Sequence, residues 1–213
     1  MEIIGWFVDF ILHLDAHLVE LLRDYGVWIY LILFAIIFAE TGFVVTPFLP
    51  GDSLLFAAGA LAAVDTSGTL SAPLVSLLLV IAAVAGNTTN YHVGRWIGPQ
   101  AFSGKYRFLK VEYLQRTEAF FAKYGSMTIV VSRFVPIIRT CAPFVAGIGR
   151  MPYLRFQVSN IAGGLGWVLA FTWAGFFFGN IPLIKNNFGL VTIAIIVVSL
   201  IPVAWVTLRR SAQ

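Results

Sequence analysis

Apolar positions recur at helical spacing from Ile3 through Phe7, Phe10, Ile11, Leu14, Leu18, Leu21 and Leu22, against Asp9, Asp15 and Glu20. That period predicts an amphipathic helix over 1–24, lying in a membrane interface. The pattern then changes to long apolar stretches. Val27 to Val45 carries one charge, Glu40, before Thr46-Pro47-Phe48-Leu49-Pro50-Gly51-Asp52 interrupts it. Both prolines lack a backbone donor and bias the residues before them to extended form, so no helix runs through. Leu54 to Val64 is again apolar but far shorter than the roughly 20 residues a spanning helix needs. A re-entrant hairpin over 25–64, its broken tip buried in protein, satisfies both facts.

Asp65-Thr66-Ser67-Gly68 reads as a turn, and 74–97 is long enough to span. Residues 98–126 form a basic amphipathic connector. The stretch 127–149 repeats the broken design, interrupted by Pro136 and Pro143 with Gly147 near its end, and with Arg133 and Arg139 where the first hairpin has acids. Further spans are expected over 154–180 and 188–208. A Tyr-Gly pair precedes each hairpin, Tyr25-Gly26 and Tyr124-Gly125, which suggests an inverted repeat. Transporters of that design place their substrate site near the midplane, where broken helices meet. The expected fold is an all-α integral membrane protein of one domain: an interfacial helix, two oppositely oriented re-entrant hairpins and about three full transmembrane helices.

Composition sharpens this picture. With 59% hydrophobic and 11% charged residues and a mean hydropathy of +0.88, the chain is too apolar for a soluble domain. Residues 1–26 lack the basic start and small-residue cleavage site of a secretory signal, and read as retained. The lone Cys141 offers no disulfide partner. The net charge of +4 resides largely in Arg95, Lys105, Arg107, Lys110, Arg116 and Lys123, and in Arg209 and Arg210. Positive charge flanking spans marks the cytoplasmic side, so the C-terminus is expected inside and the acidic N-terminus in the periplasm. Basic residues beside spans suit anionic lipid headgroups rather than nucleic acid.

The candidate chemistry lies in Glu40, Asp52, Arg133 and Arg139. One charge at membrane depth costs roughly 2.5–3.5 kcal/mol, so four cost on the order of 10 kcal/mol unless paired, hydrated or bound to substrate. An acidic hairpin facing a basic one can form pairs worth about 4 kcal/mol each at an effective dielectric near 20. A purely structural salt bridge is one outcome. An ion or headgroup site is the other, and it explains the unwound backbone. On one ideal helix Arg133 and Arg139 would point about 240° apart, a constraint that Pro136 relaxes. Guanidinium groups suit bidentate phosphate recognition and keep their charge. Burial makes a carboxylate such as Glu40 the better proton carrier, and Asp52 also fits the N-cap of the half-helix that follows it.

Gly86-Asn87-Thr88-Thr89-Asn90-Tyr91-His92-Val93-Gly94-Arg95 gives one span a polar stripe, read as interhelical hydrogen bonding, with Tyr91 and Arg95 as secondary candidates. His13 and His17 share a helix face but have no further ligands nearby, so no metal is expected. Gly98 to Lys105 departs from phosphate-loop spacing, and hydrolase motifs are missing, so neither an enzyme nor a cofactor is expected. Gly175 and Gly179 could pack helices within one chain or between two copies in a homo-oligomer.

Taken together, Glu40 with Pro47 to Asp52, Gly86 with Tyr91, Gly94 and Arg95, and Arg133-Phe134-Val135-Pro136-Ile137-Ile138-Arg139-Thr140 with Pro143 and Ala146-Gly147 resemble the DedA family of bacterial inner-membrane proteins, relatives of the eukaryotic VTT-domain lipid scramblases. The resemblance covers most of residues 25–180. It implies paired re-entrant hairpins, dependence on the protonmotive force, and transport of a lipid carrier, undecaprenyl phosphate foremost, from the outer to the inner leaflet. It also matches Glu40 and Asp52 to proton-coupling acids and Arg133 and Arg139 to phosphate-binding arginines. Many members carry an acid where this chain has Asn87, so a proton step there is not expected here. Two rivals stand beside this expectation: a proton-coupled antiporter of small cations or drugs, and a non-transporting scaffold for envelope assembly.

Overall fold

The computed structural model describes residues 14–43, 51–97, 118–119, 121–185, 187, 190–191 and 193–195. Pro47, Pro50, His13, most of the basic connector and most of the expected 188–208 span lie outside them. The described elements are helical. Helix α1 (Leu14–Tyr25) ends at Gly26, whose φ of +52° is the left-handed conformation that glycine adopts without steric cost. A 3-10 turn, Gly26–Trp28, leads into α2 (Ile29–Gly42). After it come α3 (Gly51–Val64) and α4 (Ala72–Ile97).

The second half repeats this order. Gly125 has φ +58° and opens a 3-10 turn, Gly125–Met127. Short α5 (Thr128–Ser132), α6 (Pro136–Ile148) and α7 (Tyr153–Phe178) follow, then one turn of α8 (Pro182–Lys185). Backbone angles at the two Tyr-Gly junctions coincide closely: Tyr25 has φ −111°, ψ −9° and Tyr124 has φ −115°, ψ −6°.

Among the described residues, three helical runs of 26 residues are long and apolar enough to cross a membrane: His17–Gly42, Ala72–Ile97 and Tyr153–Phe178. The first differs from expectation, because the interfacial helix and the first hairpin arm join into one run. Gly26 bends the backbone, and helical hydrogen bonding resumes within a turn. Leu18 is buried while Glu20, Arg23 and Asp24 are exposed, so the amphipathic pattern holds over the described part of α1.

Neither half-helix could span at 1.5 Å per residue, and both are enclosed by protein. Every residue from Gly51 to Leu61 is buried, as is every residue from Ile138 to Gly147. A helix apolar on nearly all sides, as α3 is, belongs in a protein core or in lipid. Each half-helix packs chiefly on the long helix of the other repeat, α3 on α7 and α6 on α4. Glycines set these crossings. A Cβ on Gly59 would lie 1.8 Å from the Thr172 carbonyl oxygen, and one on Gly175 would lie 1.9 Å from that of Phe56. In the other half, a Cβ on Gly147 would lie 2.1 Å from the Tyr91 carbonyl oxygen and one on Gly94 would lie 2.2 Å from that of Phe144. One sequence interval separates Tyr91 from Thr172 and Gly94 from Gly175; a second separates Phe56 from Phe144 and Gly59 from Gly147. The two crossings are thus one contact built twice.

Gly179 also faces α3, a Cβ there falling 2.3 Å from Ala60 Cβ, so the Gly175/Gly179 pair packs helices within the chain. Pro143 differs from its expected role, since it lies inside α6 without ending it. The break falls earlier, at Arg133–Val135. Val135 is extended (φ −127°, ψ 100°) and Pro136 occupies the first turn, where a missing N–H costs nothing.

Candidate functional site

All four charged side chains singled out in the sequence are buried, Glu40 at 2%, Asp52 at 7%, Arg133 at 1% and Arg139 at 4% exposure. The fold brings them together from four elements: the end of α2, the start of α3, the α5–α6 break and the first turns of α6.

Arg139 is the hub. Its Nη2 lies 2.8 Å from Glu40 Oε1, and its Nη1 donates to Asp52 Oδ1 at 2.6 Å. Both acids thus hold one guanidinium, where pairwise matching would have given each arginine an acid. The described part of α3 begins at Gly51, so Asp52 sits in the first helical turn rather than at the N-cap. There its charge still faces the positive end of the helix dipole. Gly51 admits the second acid, because a Cβ at this position would lie 1.8 Å from Glu40 Oε2. Gly42 and Gly86 bring α2 against α4 just beyond, where a Cβ on Gly86 would meet Thr41 Oγ1 at 2.0 Å.

Arg133 is held differently. Its Nη2 donates to Asn160 Oδ1 at 2.7 Å and to the Ala83 carbonyl at 3.3 Å. Among the described residues it has no carboxylate at ion-pair distance, and its buried Nε and Nη1 have no hydrogen-bond partner. A buried donor left unmade is costly, more so on a charged group. Gly163 and Gly164 make room for this side chain, with the positions of their absent Cβ atoms 3.4 and 3.5 Å from its atoms.

Trp167 ties the arginines together. Its Nε1 donates to Asp52 Oδ1 at 2.7 Å, and the guanidinium carbons of Arg139 and Arg133 lie 5.0 and 5.7 Å from its ring centroid. Both distances are in cation–π range. Trp167 and Asn160 were missed in the sequence. Their signal was there: an amide and an indole on one helix flanking Gly163 and Gly164 at membrane depth. By the interval that relates the long helices, Trp167 stands where the first repeat has Gly86, so the cluster occupies a place where the repeat symmetry is broken.

Tyr91 and Arg95 lie elsewhere. The Tyr91 hydroxyl donates to the Met151 carbonyl at 2.5 Å, its ring stacks on Phe156, and Arg95 Nη1 reaches that hydroxyl at 3.3 Å. They join the end of α4 to the start of α7. Asn87 Nδ2 donates to Asn160 Oδ1 at 3.1 Å, and Asn90 Nδ2 to the Thr140 carbonyl at 2.8 Å, the interhelical role read from the polar stripe. Pro143 withholds the N–H that would bond the Arg139 carbonyl in a regular helix. No group of three or more potential metal-ligating His, Cys, Asp or Glu side chains forms among the described residues.

Chemically, two acids and two guanidinium groups balance. Protonating one acid leaves net positive charge beside unsatisfied donors, an arrangement able to take up an anion.

The VTT domain matches residues 49–177, which contain both half-helices and both long helices of the site. Protein DedA of Escherichia coli K12 is 52% identical over 203 residues, covering 95% of this chain and 92% of that protein. Inner membrane protein YqjA of the same strain is 37% identical over 156 residues, 73% of this chain and 70% of the relative. An uncharacterized membrane protein of Mycobacterium tuberculosis H37Rv is 45% identical over 172 residues, 78% and 73% of the two chains. No solved structure matches the chain. With the family domain covering more than half its length and a relative aligned along nearly all of it, the chain belongs to the VTT-domain, or DedA, family of membrane proteins.

Proposed function

We propose that this protein is a proton-coupled translocase, not an enzyme, that moves an anionic lipid phosphate, with undecaprenyl phosphate the first candidate, across the bacterial inner membrane. The observation that carries the reading is Arg133: a buried guanidinium without an acidic partner among the described residues and with two unsatisfied donors. A structural ion-pair network would have satisfied it, since breaking a buried pair costs several kcal/mol, on the order of 3–5. Two oxygens of a tetrahedral phosphate offer the paired acceptors that the planar guanidinium matches.

Proton coupling follows from how Arg139 is shared. Protonating Glu40 leaves Arg139 bound to Asp52 alone, frees one Nη group and makes the cluster net positive, so the headgroup binds. Deprotonation restores the second ion pair and expels it. The enclosed half-helices support the re-entrant arrangement, entering from opposite faces, because neither could cross alone and neither faces lipid. The lipid tail stays in the bilayer. The C-terminus is placed in the cytoplasm and the N-terminus in the periplasm, on the charge distribution. A small-cation antiporter would need a carboxylate open to the cation, and both acids already hold Arg139.

The test is headgroup movement of undecaprenyl phosphate in proteoliposomes, with and without an imposed pH gradient. The parent should translocate, Arg133→Gln should lose at least tenfold, and Glu40→Gln should lose its response to the gradient. A folded parent that moves no lipid phosphate under either gradient would refute the proposal.

A further inference from the structure

Beyond Arg133 a chain of side-chain hydrogen bonds runs outward along one edge of the α4–α7 contact. Asn160 Oδ1 accepts from Arg133, and Asn160 Nδ2 donates to Gln157 Oε1 at 3.0 Å and to Thr88 Oγ1 at 3.3 Å. Gln157 Nε2 in turn donates to Thr88 Oγ1 at 3.0 Å and to the Tyr153 hydroxyl at 2.7 Å. Exposure rises step by step. Asn160 is buried, Thr88 and Gln157 are half-buried, and Tyr153 is 44% exposed. Exposed Arg95 reaches the Tyr91 hydroxyl, whose ring lies 5.9 Å from that of Tyr153 at this outer end, and exposed Arg150 and Arg155 lie within three residues of Tyr153 along the chain. Arg150 is held at φ +51°, unlike any other described residue except glycines. Exposed Val158 and Ile161 flank the chain of amides.

Structural packing asks only that such groups be satisfied, which a few of them would achieve locally. Here Asn160 Nδ2 and Thr88 Oγ1 also donate locally to the Val84 carbonyl, but the remaining bonds link a guanidinium with free donors to an exposed rim. The groups are neutral, exchangeable donors and acceptors, which bind an anion weakly enough to release it. We propose that Asn160, Thr88, Gln157 and Tyr153 form a transit subsite for a phosphate monoester between the rim and Arg133, with apolar residues beside it to accommodate a tail. This rests on the reading of Arg133 as a phosphate ligand.

The test uses Gln157→Cys and, as a control one position round the helix, Val158→Cys, both in full-length Cys141→Ala protein in proteoliposomes. Thr88→Cys repeats the test should Gln157→Cys fail to fold. A sulfonated methanethiosulfonate should label the Gln157→Cys thiol at least tenfold faster than the Val158→Cys thiol. Farnesyl phosphate should slow that labelling at least threefold, and adding Arg133→Gln should remove the protection. Protection by farnesyl phosphate but not inorganic phosphate identifies a lipid headgroup, and protection by both identifies a site for the free anion as well. Equal labelling rates, or fast labelling that neither phosphate slows while the parent still binds farnesyl phosphate through Arg133, would overturn the transit subsite alone. A parent that binds no farnesyl phosphate would instead remove the reading of Arg133, and the subsite with it.

Discussion

Replacing Gly59 by alanine tests whether close helix crossings hold the charge cluster in place. The new Cβ would lie 1.8 Å from the Thr172 carbonyl oxygen, where ordinary contact begins at 3.4 Å, so α3 and α7 must part by roughly 1.6 Å. The obstacle is backbone on both sides, which cannot rotate away. Overpacking of this kind costs about 1–3 kcal/mol, and a rigid obstacle places it near about 3 kcal/mol. For a chain of this length that corresponds to a melting temperature about 6–12 °C lower. The displacement reaches the site, because Asp52 is two turns, about 10 Å, up the same helix. Its 2.7 Å hydrogen bond from Trp167 would be stretched out of range. The assay is thermal unfolding in detergent alongside lipid phosphate translocation. Gly147→Ala should match Gly59→Ala, since the second crossing copies the first. Gly166→Ala, with nothing within 4 Å, should leave melting unchanged or slightly raised. A Gly59→Ala protein melting within about 2 °C of the parent would refute the reasoning.

Gly26→Ala and Gly125→Ala each force an alanine to positive φ with nothing within 4 Å of the new Cβ, so backbone strain alone acts. Each should destabilise by about 1 kcal/mol, and equally, in chemical denaturation; a difference above about 1 kcal/mol would contradict the equivalence of the two junctions. In the α3–α4 turn the Asp65 carboxylate accepts from the backbone N–H groups of Ser67 (2.9 Å) and Leu70 (2.6 Å) and from the Ser67 hydroxyl. These hydrogen bonds, the Ser67 hydroxyl first, hold its pKa below the ordinary carboxylate value. A depressed folded pKa means that the turn's stability is present above the ordinary carboxylate range and is lost as pH falls through the folded value. Exchange of the Leu70 amide should stay protected on lowering the pH to about 4 and lose protection only below it. Loss of protection already near pH 6 would show that the carboxylate does not hold the turn.

Local chemistry made much of this protein legible in its sequence. Mean hydropathy marked a membrane protein, Pro136 after Val135 marked a break, and the paired Tyr-Gly steps marked a repeat whose junctions share one backbone conformation. These features depend on a residue and its immediate neighbours. Boundaries set by continuity were less legible. The interfacial helix was expected as a separate element over 1–24, yet a helical run extends from His17 to Gly42, and Pro143 was expected to interrupt its stretch yet lies within α6. At Pro143, enclosure of α6 against α4 holds helical a segment that local propensity would interrupt.

The sequence by itself determined that four charges lie within apolar stretches and must find partners, because no burial energy compensates an isolated ion there. Which partners they find was decided only in three dimensions. Arg139 takes both acids, Arg133 is left with Asn160 and a backbone carbonyl, and Trp167 stands between them, because the crossings at Gly59/Gly175 and Gly94/Gly147 fix which helix faces meet. Those contacts join residues far apart in the chain, and their distances depend on the absence of Cβ atoms on both repeats at once, which no local pattern records.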